Sequence, residues 1–157
     1  MKFYAFDSFE GMPKSKGIDS VDNIYQFVEG QYACTEEHFK DSIEKNDVNL
    51  NKVELVPGWF EDTLTEKTKD KLKIKKASVI WVDCDLYAST VPVLEFITQY
   101  LQNGTIICFD DWFSFLGNPN RGEQKAFYEW IKKYSHIKCI DYHTFGKWGK
   151  SFIVSLS

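Results

Sequence analysis

Short apolar runs alternate along this chain with longer segments whose apolar residues recur every three or four positions. The clearest run is Val79-Ile80-Trp81-Val82, four β-branched or aromatic residues in succession. Runs of this kind predict strands buried on both faces, hence a parallel sheet covered by helices. The pattern returns at Thr105-Ile106-Ile107-Cys108-Phe109. Lys2 to Phe6 reads as a short aromatic-rich strand, and Val53 to Val56 as a second strand stopped by Pro57-Gly58. Lys138 to His143 and Ser151 to Leu156 instead alternate like paired strands across a Gly146-Lys147-Trp148-Gly149 turn.

Helical spacing fills the intervals. A helix is expected from Thr35-Glu36-Glu37-His38 to about Asn46, capped by Thr35 or Cys34, with Phe39 and Ile43 on one face. Trp59 to Thr63 reads as a loop, with Asp62 or Thr63 capping a short helix to about Leu72. Ser89 to Leu101 turns Val93, Leu94, Ile97 and Leu101 to one side, with Pro92 in the first turn and Gly104 beyond the end. Glu123 to Tyr134 carries Ala126, Phe127, Trp130 and Ile131 inward. Gly11 to Gly30 has little periodicity and reads as a loop. Strand and helix therefore alternate four times before an antiparallel hairpin: an α/β fold, mostly parallel, in a single domain spanning 1–157.

Composition narrows the class. At 157 residues and 43% apolar content the chain can bury a core. A net charge of −4 argues against a nucleic-acid partner, and the basic run Lys67 to Lys76 reads as a solvated helix face. No secretory or transmembrane pattern is visible. Cys34, Cys84, Cys108 and Cys139 lack metal-ligand or redox spacing, so reduced thiols and a cytoplasmic setting are expected. The aromatic share is high at 17%, and Trp59, Phe60, Trp112, Phe113 and Phe115 fall in loop-like stretches, compatible with a sugar face or a planar ring, although burial against the sheet is the more common use of such residues.

The candidate chemistry lies at two strand ends. Val82 is followed by Asp83-Cys84-Asp85, and Phe109 by Asp110-Asp111. Parallel neighbours bring both acidic ends to the edge where such sheets bind ligands. Carboxylates crowded there repel one another, and a hard divalent cation (magnesium, calcium or manganese) relieves that repulsion. Either pair alone fits a turn or a helix cap better than a metal site. Both pairs together favour a metal site.

Four motifs occur in order over nearly the whole chain: Phe6-Asp7-Ser8-Phe9-Glu10-Gly11-Met12-Pro13, Pro57-Gly58-Trp59-Phe60-Glu61-Asp62-Thr63-Leu64, Val82-Asp83-Cys84-Asp85-Leu86-Tyr87-Ala88-Ser89-Thr90 and Phe109-Asp110-Asp111-Trp112. Together they resemble the signatures of the macrocin (TylF/MycF-type) O-methyltransferases, class I enzymes that use S-adenosylmethionine to methylate a hydroxyl of a sugar or other small molecule. The resemblance implies a Rossmann-like methyltransferase sheet and a metal-dependent reaction. It assigns Asp83, Asp110 and Asp111 to Mg²⁺, and Asp83, or less readily Asp85, to taking the acceptor's proton. It places Asp7 against the cofactor's ribose hydroxyls, with Ser8 and the Gly58-Trp59-Phe60 loop near adenine; packing is an equal use for Trp59 and Phe60. Tyr87, Ser89 and Thr90 read as helix-start residues, and His38, His136 and His143 as surface or packing residues.

One departure is plain. The family carries a strand, a glycine-rich loop and a helix ahead of the position where this chain starts, and no other segment here has that form. The expectation is a shortened sheet in which the first and third long strands pair directly, or a second chain fills the gap, or the sequence is a fragment of something longer. Cofactor binding would then be impaired or partner-dependent, and a homo-oligomer favoured. Two other readings stay open: a non-catalytic methyltransferase-like binding protein, and a metal-dependent enzyme acting on a nucleotide-sugar or phosphoester.

Overall fold

The computed structural model describes residues 1–20 and 27–157. Part of the expected Gly11 to Gly30 loop therefore lies outside the described residues. Six strands are present: β1 (Phe3–Asp7), β2 (Val53–Pro57), β3 (Val79–Val82), β4 (Ile106–Phe109), β5 (Ile137–Phe145) and β6 (Gly149–Leu156). The helices are α1 (Glu36–Lys45), α2 (Phe60–Thr63), α3 (Glu66–Leu72), α4 (Tyr87–Ile97) and α5 (Gly122–Lys133). No helix among the described residues is long and apolar enough to cross a membrane.

The strands form two sheets. β1 and β2 pair in parallel, and β3-β4-β6-β5 form the second sheet. Within it β3 and β4 run parallel, while β6 lies antiparallel between β4 and β5. The architecture is thus α/β with the expected C-terminal antiparallel hairpin. The first and third long strands do not pair directly; among the described residues β1 and β3 each keep an edge without a ladder partner.

Alternation along the strands builds the core. Val82, Ile107, Phe109, Phe152 and Val154 face one side, beneath Leu94, Phe96 and Ile97 of α4 and Ala126, Phe127 and Trp130 of α5. Phe109 meets Trp112, Phe127 and Phe152 at ring centroids 5.3, 5.5 and 6.0 Å apart. Burying each such side chain is worth roughly 1.5–3 kcal/mol. The opposite face differs from the expectation of strands buried on both sides. Val79, Trp81 and Ile140 are 53%, 56% and 57% exposed, because no described helix packs over that row. Trp81 rests instead on Phe145, with ring centroids 5.1 Å apart.

Helix boundaries shift where capping decides them. Thr35, not Cys34, caps α1 by accepting the His38 N–H at 3.1 Å. The expected loop at Trp59 to Thr63 is the single turn α2, and α3 is capped by Thr65 rather than Asp62 or Thr63. α4 begins at Tyr87, two residues before Ser89, so Pro92 stands inside the helix and removes the hydrogen bond to the Ala88 carbonyl. Two of the aromatics expected around a ligand are core residues: Trp112 and Phe115 are buried, since the chain folds back after β4 onto α5.

Candidate active site

The carboxyl ends of β1, β2, β3 and β4 open into one cavity of about 480 Å³. Its lining brings together Asp7, Ser8, Gly58, Trp59, Phe60, Asp83, Asp85, Asp110 and Asp111, the residues that the sequence singles out. Met12, Gln31 and Tyr32 close the side contributed by the loop after β1. A volume of this order suits a small-molecule ligand.

The local chain geometry explains how each group reaches the cavity. Asp7 ends β1 and accepts the Phe9 N–H at 2.6 Å, while its own carbonyl accepts the Gly58 N–H at 2.9 Å, tying the tips of β1 and β2. The loop beyond turns at Gly11, φ +80°, where a Cβ would lie 2.4 Å from the Gln31 carbonyl oxygen. Glycine is required there, and Met12 then exchanges backbone hydrogen bonds with Gln31 and Gly30.

After β3 the Leu86 N–H donates to the Cys84 carbonyl, a tight turn that holds Asp85 at φ +55°. Such a backbone is costly for a residue with a side chain and concentrates at functional sites. Asp85 therefore does not cap α4; Asp19 does, accepting the N–H groups of Tyr87 and Ala88 at 2.8 and 3.0 Å. After β4 the Asp110 N–H continues the ladder to the Val82 carbonyl, and Asp111 accepts from the Ser114 hydroxyl at 2.8 Å.

One ligand oxygen from each of Asp83, Asp85 and Asp111 lies within 4.8 Å of the other two. Asp110, the third residue of the expected metal set, lines the same cavity beside this trio. Among the described residues no salt bridge reaches any of the four acids. The crowding shows in the proton affinities of Asp83, Asp85 and Asp110. Asp83 reaches solvent, yet desolvation and then the charges of Asp110, Asp111 and Asp7 push its carboxyl up to about 6. Burial, then the Asp111 carboxylate, raise Asp85 further above the ordinary carboxylate range. Asp110 is raised by burial and by Asp111. An all-oxygen donor set with unneutralised charge fits a hard divalent cation.

Two buried acids escape a reading of sequence alone. Asp19 is 2% exposed and reaches α4 from a loop remote in sequence. Glu123, 1% exposed at the start of α5, accepts the Asp111 N–H at 3.0 Å. An acid in a first helical turn is commonplace, so nothing in its spacing marks Glu123 out. The three histidines are exposed and lie away from the cavity.

The profile of the family described as Macrocin-O-methyltransferase (TylF) matches residues 1–144. The chain belongs to the macrocin O-methyltransferase family. A curated Streptomyces olivaceus protein, the 8-demethyl-8-(2,3-dimethoxy-alpha-L-rhamnosyl)-tetracenomycin-C 4'-O-methyltransferase, is 35% identical over 115 residues, covering 71% of this chain and 42% of that enzyme. The O-methyltransferase NovP superposes with a TM-score of 0.71 at 23% identity, over 97% of this chain and 59% of that one. CalS11, a calicheamicin methyltransferase, gives 0.68 at 21% identity, over 97% and 60%. The two structures share the methyltransferase fold with this macrocin O-methyltransferase family member. The chain spans about half the length of these relatives.

Proposed function

We propose that this family member is a metal-dependent S-adenosylmethionine O-methyltransferase acting on a hydroxyl of a sugar or another small molecule. The observation that carries the reading is the convergence of Asp7, the Trp59-Phe60 turn and four unneutralised aspartates on one cavity. The curated relative is named for a 4'-O-methyltransferase reaction on a rhamnosyl-bearing compound, and a similar Bacillus cereus O-methyltransferase was solved in complex with SAH. Both support the substrate class and the donor.

In this reading Asp7, at the tip of β1, accepts hydrogen bonds from ribose hydroxyls. Ser8 and Gly58 border the same end, and Trp59 with Phe60 packs against the adenine face. Asp83, Asp110 and Asp111 would hold Mg²⁺, which would supply the acidity that lowers the pKa of the acceptor hydroxyl, with S-adenosylmethionine as the methyl donor. Asp85, held at positive φ against this trio, takes the proton; Asp83 is the alternative acceptor. The strand tips fix these groups before substrate arrives, so little reorganisation is left for the reaction.

The unpaired edges of β1 and β3 support a partner-dependent activity, and the exposed Val79, Trp81 and Ile140 row supports self-association. The unpaired thiols of Cys34, Cys84, Cys108 and Cys139 fit a reducing, cytoplasmic setting. The same open edges are what favours a second reading, a methyltransferase-like binding protein without turnover.

Isothermal titration with S-adenosylmethionine, with and without Mg²⁺, tests the proposal. Binding strengthened by Mg²⁺, followed by methyl transfer to a deoxysugar acceptor, is the expected result. Mg²⁺ binding with no cofactor heat at high protein concentration would leave the binding-protein reading in its place.

A further inference from the structure

The first turn of α5 braces the acidic turn after β4. Gly122 has φ +50°, and a Cβ there would meet the Phe115 ring at 2.7 Å and the Asp85 carbonyl oxygen at 3.0 Å. The next residue, Glu123, accepts the Asp111 N–H at 3.0 Å through Oε2. The residue after that, Gln124, donates from Nε2 to the Trp112 carbonyl at 2.7 Å. In order, these residues leave room for the Asp85 carbonyl, hold the Asp111 amide and hold the Trp112 carbonyl. Each is buried.

Glu123 is the unusual member. A glutamate is almost never this buried without a partner, and among the described residues its Oε1 has no hydrogen-bond partner. A purely structural brace would be served by any residue that fills the space. A carboxyl side chain left with an orphaned oxygen is costly to bury, so its retention needs the one contact it makes. That contact fixes the peptide between Asp110 and Asp111, and with it the direction in which both side chains leave the backbone.

We propose that Glu123 is a positioning residue, whose acceptor oxygen sets the Asp110-Asp111 turn so that both carboxylates face the cation place. This rests on the cation-dependent reading above. Outer groups of this kind orient ligands, and their loss typically costs about 10–100-fold in metal affinity. Glutamine at 123 keeps an oxygen that accepts the Asp111 N–H; leucine keeps the volume and removes the acceptor.

Mn²⁺ titration followed by electron paramagnetic resonance tests the assignment on the full chain. Glu123→Leu should weaken Mn²⁺ binding by about tenfold or more, with Glu123→Gln staying within about threefold of the parent. Equal affinity of parent and Glu123→Leu, or equal losses in both variants, would overturn the positioning role while leaving the cation site standing. A parent chain that does not bind Mn²⁺ would overturn both. Should Glu123→Leu fail to fold, amide hydrogen exchange in the parent decides: the Asp111 amide should be protected, and exchange as fast as in the exposed Asn118–Asn120 turn would overturn the role.

Discussion

The Asp19 carboxylate accepts the Tyr87 backbone N–H at 2.8 Å across 68 positions of sequence. Leu86, the residue before α4, has no side chain able to cap it, so the first two N–H groups of the helix are satisfied from another loop. The same contact pins the segment after β1 beside the cavity that α4 opens onto. Removing it should act on the helix and the loop together. Asp19→Ala is expected to cost about 1–2 kcal/mol, the range of a lost helix cap, measured by urea unfolding. An unchanged midpoint would mean that the cap carries no stability.

Acid crowding makes a prediction about pH in the absence of any cation. Asp83 is pushed up to about 6 by desolvation and by the charges of Asp110, Asp111 and Asp7. The native state therefore holds this proton more tightly than the unfolded chain, whose aspartate titrates near 3.9. Stability contributed by the protonated form is complete below about pH 4, falls as pH rises through about 6, and changes no further through this group. Asp85, raised for the same reasons, extends the decline upward. In EDTA the thermal midpoint should fall between about pH 4 and 6, and Asp83→Asn should flatten that slope. A midpoint that rises over this window in the parent would contradict the placement of these acids.

The core prediction follows from the alternation of β4. Phe109 is fully buried among Trp112, Phe127 and Phe152, and nothing can collapse into its place without moving three rings. Phe109→Ala should cost about 3–5 kcal/mol. Trp81, on the other face of the same sheet and mostly exposed, should cost far less on replacement by alanine. Comparable losses at the two positions, read by chemical denaturation, would show that the exposed face is covered in solution.

Period-two and period-three-to-four patterns were enough to find every strand and the three long helices, because those signals are local and repeat. They were enough, too, to bring Asp83, Asp85, Asp110 and Asp111 to one edge, since parallel neighbours β3 and β4 require it. What escaped was set by distant partners. The start of α4 depends on Asp19, which no window around Tyr87 contains. Trp112 and Phe115 look like surface aromatics until α5 folds over them. The open face of β3 was invisible for a related reason: Val79-Ile80-Trp81-Val82 reads alike whether one face is covered or two.

The cation place can be divided between two sets of ligands. Asp83 and Asp111 are common to both; Asp85 completes the compact trio seen here, and Asp110 completes the set expected from the family motif. Asp85 sits on a strained turn with its proton affinity raised further than that of Asp83, which suits a proton acceptor better than a permanent ligand. Asp110→Asn should therefore weaken Mn²⁺ binding by about tenfold or more. Asp85→Asn should leave affinity within about threefold and slow methyl transfer by about 10²–10⁴-fold, the contribution of a general base. The reverse pattern, with affinity lost at Asp85 and kept at Asp110, would move the cation onto the Asp83, Asp85 and Asp111 trio and return the proton to a different acceptor.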